Sequence, residues 1–152
     1  MPSLFPTGYQ QHTVSADDIE SKPKKVGYKQ SLMYDINEGC VKRDGQNRVL
    51  TASGIEAWKQ WCYNCLNTER YSCNAYPTDF GIEKEKAMQA ETKELREVML
   101  TVDITEALMA DPYQRTLSVP SIEFNWLAPD SCEIEVIVQG IDDAEIDIIL
   151  TI

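Results

Sequence analysis

The period of the apolar positions changes along this chain, and the changes divide it into elements. Residues 32–36, Leu-Met-Tyr-Asp-Ile, predict a short strand. Residues 37–39 form a turn, and Cys40, Val41 and Lys42 a second strand. Asp44-Gly45 within residues 43–47 is a strong hairpin signal, after which Arg48, Val49 and Leu50 return. Ser53 with Glu56 three residues on reads as a capping box, a helix start. Ile55, Trp58, Cys62, Cys65 and Leu66 then share one face at helical spacing, predicting a helix over 54–66 with Trp61 beside that face.

Residues 71–82 contain Pro77 and Gly81 and cannot be one long helix. Residues 83–110 are helical in composition. Leu95, Val98, Met99, Val102, Glu106 and Met109 trace a stripe, widened by Ile104, Ala107 and Leu108. Poor helix formers across residues 101–105 predict a kink or break, and Asp111-Pro112 ends the segment. After Pro112 the period becomes two. Leu117 and Val119, then Ile122, Phe124 and Trp126, alternate with polar residues; so do Cys132, Ile134, Val136 and Val138, and finally Ile146, Ile148 and Leu150. Three antiparallel strands are predicted near 114–126, 131–139 and 144–151, with Pro120 marking an edge or bulge in the first. The class is α+β: small N-terminal strands, two main helices and a C-terminal three-stranded meander.

Length and composition change this picture little. The 152 residues suit one domain, taken as 31–152, preceded by an extended arm at 1–30. That arm is polar and turn-rich. It reads either as mobile or as ordering against a partner through Leu4, Phe5 and Tyr9. Net charge is −11, which argues against general nucleic-acid binding and against an anionic membrane surface. No apolar run is long enough to span a membrane, and the N-terminal residues do not read as a secretory signal. The five cysteines are not spaced like a disulfide framework and read as reduced thiols of a protein folded in a cytosol.

Candidate chemistry is sparse. Cys62 and Cys65 invite a zinc reading, but both lie on the apolar helix face, where cysteine behaves as a small hydrophobe. The one histidine, His12, lies in the arm, which leaves little for nucleophilic catalysis. A glycosidase needs two facing carboxyl groups, and Glu69 is the one acid in an aromatic setting, with no partner evident. No catalytic residue, metal or cofactor is expected. What stands out is the stretch from Ala57 to Gly81, where rigid aromatics flank Glu69-Arg70. It makes either a core corner or a docking surface.

Ala57-Trp58 and Trp61, Leu66-Asn67-Thr68-Glu69-Arg70-Tyr71 and Tyr76-Pro77-Thr78-Asp79-Phe80-Gly81-Ile82-Glu83 closely resemble the XkdS-like proteins of the defective phage PBSX and related phages. Lys93-Glu94-Leu95, the run from Glu106 to Tyr113 with its Asp-Pro-Tyr exit, and the opening Leu4-Phe5-Pro6 fit the same pattern. That family is similar in turn to the gene-25-like "lysozyme" family of contractile-tail baseplates and type VI secretion systems. The resemblance implies a baseplate wedge component and sheath initiator of a phage tail or phage-tail-like bacteriocin, present in the particle and assembled in the bacterial cytoplasm. It does not imply hydrolysis; a peptidoglycan hydrolase is the alternative that the family label suggests.

On this resemblance Glu69 and Arg70 match a signature that docks on the helical core bundle of the wedge, and Pro77, Phe80 and Gly81 its second half. With Tyr71 and Tyr76 these are the expected wedge contacts, and the charge pair is expected to hold the partner rather than the fold. First-ring sheath subunits are the other expected partner, with tube or hub proteins as further ones. They would add a strand to the terminal meander at Ile146, Ile148 and Leu150 through main-chain bonds. The alternative is an edge covered by the chain's own N-terminal arm.

Overall fold

The computed structural model describes residues 29–35 and 38–152. The readings of Leu4, Phe5, Tyr9 and His12 lie outside them, as do Ile36 and Asn37. The first apolar run is not one strand. It splits at Met33 into β1 (Ser31–Leu32) and β2 (Tyr34–Asp35); β3 (Cys40–Val41) pairs with β2, and β4 (Thr51–Ala52) pairs with β1. The Met33 N–H donates to the Leu50 carbonyl, and the Met33 carbonyl accepts from Lys42. The expected return at 48–50 contributes one bridge, Val49 with Arg43. The Asp44 carboxylate explains the delay. It accepts from the backbone N–H groups of Gln46 and Arg48, with Asn47 left-handed, so the turn runs on to Arg48.

The first helix, α1, spans Ile55–Asn67. Its capping box does not form. Gly54 holds the N-cap position with φ 61° and ψ −137°, a conformation suited to glycine, and no side chain caps the helix. Trp58, Cys62, Cys65 and Leu66 are buried as expected, with Trp61 partly buried, but Ile55 is 45% exposed. Ala57 and Gln60 are buried as well, Gln60 where the small strands meet a second side of the helix. There the Gln60 amide donates to the Tyr34 carbonyl at 2.9 Å.

The helical segment 83–110 is two helices, α2 (Lys84–Met88) and α3 (Lys93–Met109), the second capped by the Thr92 hydroxyl accepting from Leu95 N–H. The break expected at 101–105 is absent. The Thr101 and Thr105 hydroxyls each donate to the carbonyl four residues back, so both are satisfied within a continuous α3, and the packing of this stretch on the core outweighs its poor propensity. The expected stripe divides: Ile104, Ala107 and Leu108, which widen it, are buried and Met99 packs against the core, but most of its main line faces outward. Leu100, Ile104, Ala107 and Leu108 form the buried face, whereas Leu95, Val98, Val102 and Met109 are exposed. The helix carries apolar residues on two opposite faces, and periodicity does not say which one meets the core.

The meander forms within about two residues of expectation, an ordinary margin for element ends. The strands β5 (Thr116–Ala128), β6 (Ser131–Gly140) and β7 (Glu145–Thr151) make an antiparallel sheet in that order. Register shifts bracket Pro120 in β5, and they leave Leu117 exposed rather than inward. A 3-10 turn, Ile141–Asp143, joins β6 to β7. The inward row of β6 is Cys132, Ile134, Val136 and Val138; that of β7 is Ile146, Ile148 and Leu150. Helix α1 packs on β7 and α3 on β5, closing one core with those rows. The indole of Trp58 lies against Gly140, where a Cβ would overlap the ring, and its N–H donates to the Thr116 hydroxyl at 3.1 Å. The mixed α+β architecture is as expected.

Candidate functional site

The loop leaving α1 is shaped by backbone bonds. The Ile82 N–H donates to the Thr68 carbonyl at 3.1 Å, and Arg70 N–H donates to the Ile82 carbonyl at 3.0 Å, so Glu69 and Ile82 form a parallel bridge. The two limbs come so close that a Cβ on Gly81 would stand 2.7 Å from the Thr68 oxygen, and Gly81 has φ +92°. Between the limbs the chain makes tight turns closed by Tyr76 N–H to the Cys73 carbonyl and by Phe80 N–H to the Pro77 carbonyl.

Glu69 and Arg70 do not bond each other. A carboxylate oxygen of Glu69 accepts from Lys84 N–H at 3.1 Å, where α2 begins. Burial holds the Lys84 ammonium below the usual lysine range, with the Glu69 charge opposing it. Arg70 donates from Nε to the Gly81 carbonyl at 2.9 Å, and its Nη1 lies 3.9 Å from Asp103 and 3.7 Å from Glu106 of α3. Its side chain is only 10% exposed. Both residues therefore act inside the fold and hold the loop in place.

What the loop presents outward is aromatic. Tyr76 stacks on Phe80 with ring centroids 4.5 Å apart, and Trp61 of α1 meets Phe80 edge-on at 5.9 Å. Trp61, Asn64, Tyr76, Pro77, Asp79 and Phe80, with Ala110 and Pro112 beyond α3, line an open pocket of about 510 Å³. Of the expected wedge contacts, Tyr76, Pro77 and Phe80 are brought together here. Tyr71 stands exposed outside the lining in a left-handed conformation (φ 66°), and Glu69, Arg70 and Gly81 form the frame behind. Sequence reasoning missed Asn64, Asp79, Ala110 and Pro112 as pocket residues. The Asp-Pro-Tyr exit was the available signal for the far wall.

That far wall is stiffened by an ion pair the sequence did not reveal. Asp111 and Arg115 are both buried and joined bidentately, Nε to Oδ2 and Nη2 to Oδ1 at 2.8 Å each, and Asp111 also accepts from the backbone N–H groups of Tyr113 and Arg115. The guanidinium lies over the rings of Trp61 and Tyr113 at 5.6 and 5.0 Å. Behind the pocket, Cys62 and Cys65 sit in the core. Burial raises both thiols above the usual range, Cys65 to about 11. Among the described residues no three of His, Cys, Asp or Glu are grouped so as to hold a metal ion.

The second surface is the edge of the sheet. Cys132 and Ile152 exchange both N–H to carbonyl bonds at 2.9 Å, and Gly140 N–H donates to Ala144 at 2.7 Å. The register between β6 and β7 is unbroken between these points. Antiparallel alternation therefore turns the N–H and C=O groups of Ile146, Ile148 and Leu150 toward β6 and those of Glu145, Asp147, Ile149 and Thr151 outward. Ile146, Ile148 and Leu150 thus have their side chains in the core and their backbone on β6; the groups open to a new strand belong to their neighbours. Among the described residues nothing pairs with the outer side of β7 or of β5. The two edges differ, since β5 is interrupted by Pro120 and its register shifts, whereas β7 is regular.

No curated protein sequence matches the chain. The sequence model of a family described as contractile injection system sheath initiator matches residues 30–143, and the chain belongs to that family.

Proposed function

We propose that this sheath initiator joins the baseplate wedge to the first sheath ring, the aromatic pocket docking the wedge and β7 receiving a strand from a sheath subunit. The observation that carries the reading is the regular, unpaired edge of β7, with the outward backbone groups of Glu145, Asp147, Ile149 and Thr151. Ile146, Ile148 and Leu150 anchor that strand to the core so that it can accept another. At the pocket, Tyr76, Pro77 and Phe80 supply apolar contact and Asp79 a charge at the rim, while Glu69, Arg70 and Gly81 fix the loop's shape and Tyr71 extends the surface. Tube or hub proteins are further neighbours in the same particle, a phage tail or a phage-tail-like bacteriocin assembled in the bacterial cytoplasm.

The chain reads as a structural part rather than a hydrolase. Glu69 is bonded to the start of α2, and the pocket has one carboxylate, Asp79, where glycoside hydrolysis by two carboxyls needs a facing pair. Residues 1–30 read as an arm attached to a single domain at 31–152.

Proline at Ile149 tests the edge. It removes an outward N–H and leaves the ladder to β6 intact, so the protein should fold, enter baseplates and fail to start sheaths. Tyr76→Ala should do the opposite, leaving a folded monomer that does not enter baseplates. Electron microscopy of particles made with each variant reads both. Normal sheaths on Ile149→Pro baseplates would refute strand addition at β7.

A further inference from the structure

A small cavity of about 230 Å³ is lined by Lys59 and Tyr63 of α1 and by Asp147, Ile148 and Ile149 of β7. Successive side chains of a strand point to opposite faces of its sheet. A space that touches three consecutive residues therefore reaches them at the strand's edge rather than on one face. The edge toward β6 is already paired, which puts the cavity on the outer one. Lys59 and Tyr63 are neighbours on one side of α1, so the helix overhangs that edge from the core side. Tyr63 is partly buried and packs against the core, whereas Lys59 is exposed and makes no ion pair with a described residue. Glu56, the one acid of α1, lies a turn earlier and shares a second cavity with Lys59, Asp35 and Lys42.

A strand added at β7 turns one face toward α1 and the other toward solvent. Its residue opposite Ile148 points the same way as Ile148, under the helix, where it meets the Tyr63 ring and Lys59. The residues on either side of it point to the solvent face. There Glu145 and Asp147 stand on β7, with Glu133 and Glu135 one strand further in. The edge is thus cationic on its core side and anionic on its solvent side. We infer, on the strand-addition reading and resting on it, that the cavity receives a glutamate of the incoming strand opposite Ile148, its stem on Tyr63 and its carboxylate at Lys59, and that the same strand carries basic side chains on its solvent face. A slip of one residue sets a base against Lys59 and the acid among acids, so the two charges fix which face of the strand turns inward. A second copy of β7 offers no basic residue for the solvent face.

The test uses the full chain and two designed peptides, Lys-Val-Lys-Glu-Lys-Val-Lys and Lys-Val-Lys-Lys-Lys-Val-Lys. Each reads the same in both directions, so strand polarity does not enter. Fluorescence anisotropy at about 0.15 M salt should show the Glu-centred peptide binding at least about fivefold more tightly. The net charge of −11 favours the Lys-centred one, so that order reports a local contact. Lys59→Glu, at an exposed position, should keep the parent's circular dichroism and reverse the preference. Amide hydrogen exchange at Asp147 and Ile149 should be fast in the free chain and slowed by the Glu-centred peptide. If both peptides slow it with equal affinity, or if Lys59→Glu leaves the preference unchanged, strand addition stands and the glutamate socket is refuted. If neither peptide slows it, strand addition at β7 itself fails and the socket with it. Slow exchange already in the free chain would mean that its own N-terminal arm or, where a dimer sediments, a second copy holds the edge, and would also overturn the proposal.

Discussion

Arg70 donates from Nε to the Gly81 carbonyl, and its Nη2 is buried without an acceptor among the described residues. Its charge is held close to the fold by Asp103 and Glu106, so its removal acts first on the loop. Arg70→Ala leaves the Gly81 carbonyl without its side-chain donor and should cost about 1–3 kcal/mol in urea denaturation. An unchanged midpoint would mean that the loop keeps its shape without the guanidinium. At Cys65 the effect runs through pH. The thiol's folded pKa, pushed up to about 11 by burial, lies above its usual value near 9. The unfolded chain therefore loses that proton first. Its contribution to stability is fully present below pH 9 and is lost as pH rises toward 11, with Cys62 acting in the same direction. Cys65→Ala should lower stability by about 1 kcal/mol at neutral pH. It should also flatten the fall above pH 9; a slope as steep as the parent's would place the effect elsewhere.

The loop between α1 and α2 depends on one backbone position. Gly81→Ala adds a Cβ against the Thr68 oxygen at a positive φ and should destabilise the protein by about 1–3 kcal/mol. Loss of the Tyr76–Phe80 stacking in near-ultraviolet circular dichroism would locate the damage in the pocket. An unchanged spectrum and midpoint would show that the limbs can move apart. The elements themselves were unevenly legible. Alternation in Ile134, Val136, Val138, Ile146, Ile148 and Leu150 named their inward face, because a strand with one wet side has one solution. Helix α3 had two. Leu95, Val98 and Val102 look as much like a core stripe as Leu100, Ile104 and Leu108, and tertiary packing decides between them. Ser53 lost the cap to Gly54, and the Asp111–Arg115 pair was hidden because a four-residue separation outside a helix predicts no contact. In the pocket, the aromatic side was legible in Tyr76-Pro77 and Phe80; the side made by Ala110 and Pro112 needed the fold to bring it across.

At the scale of the whole molecule, the helices and the sheet enclose one core, while among the described residues the aromatic pocket, the outer face of α3 and both edges of the sheet remain open. On the solvent side of the sheet Glu123 lies directly across from Glu135, with Glu133 on the same strand, and Glu145 and Asp147 follow on β7. Like charges set across strands disfavour the stacking of two such sheets in free solution. The same rows flank the outward groups of β7, so an incoming strand with basic side chains would meet complementary charge there. The inequality of the two sheet edges has a consequence for assembly. With β5 interrupted at Pro120 and β7 regular, β7 is the longer unbroken edge that strand addition could use. Under the strand-addition reading, the number of sheath strands then follows the number of initiators seated on the ring.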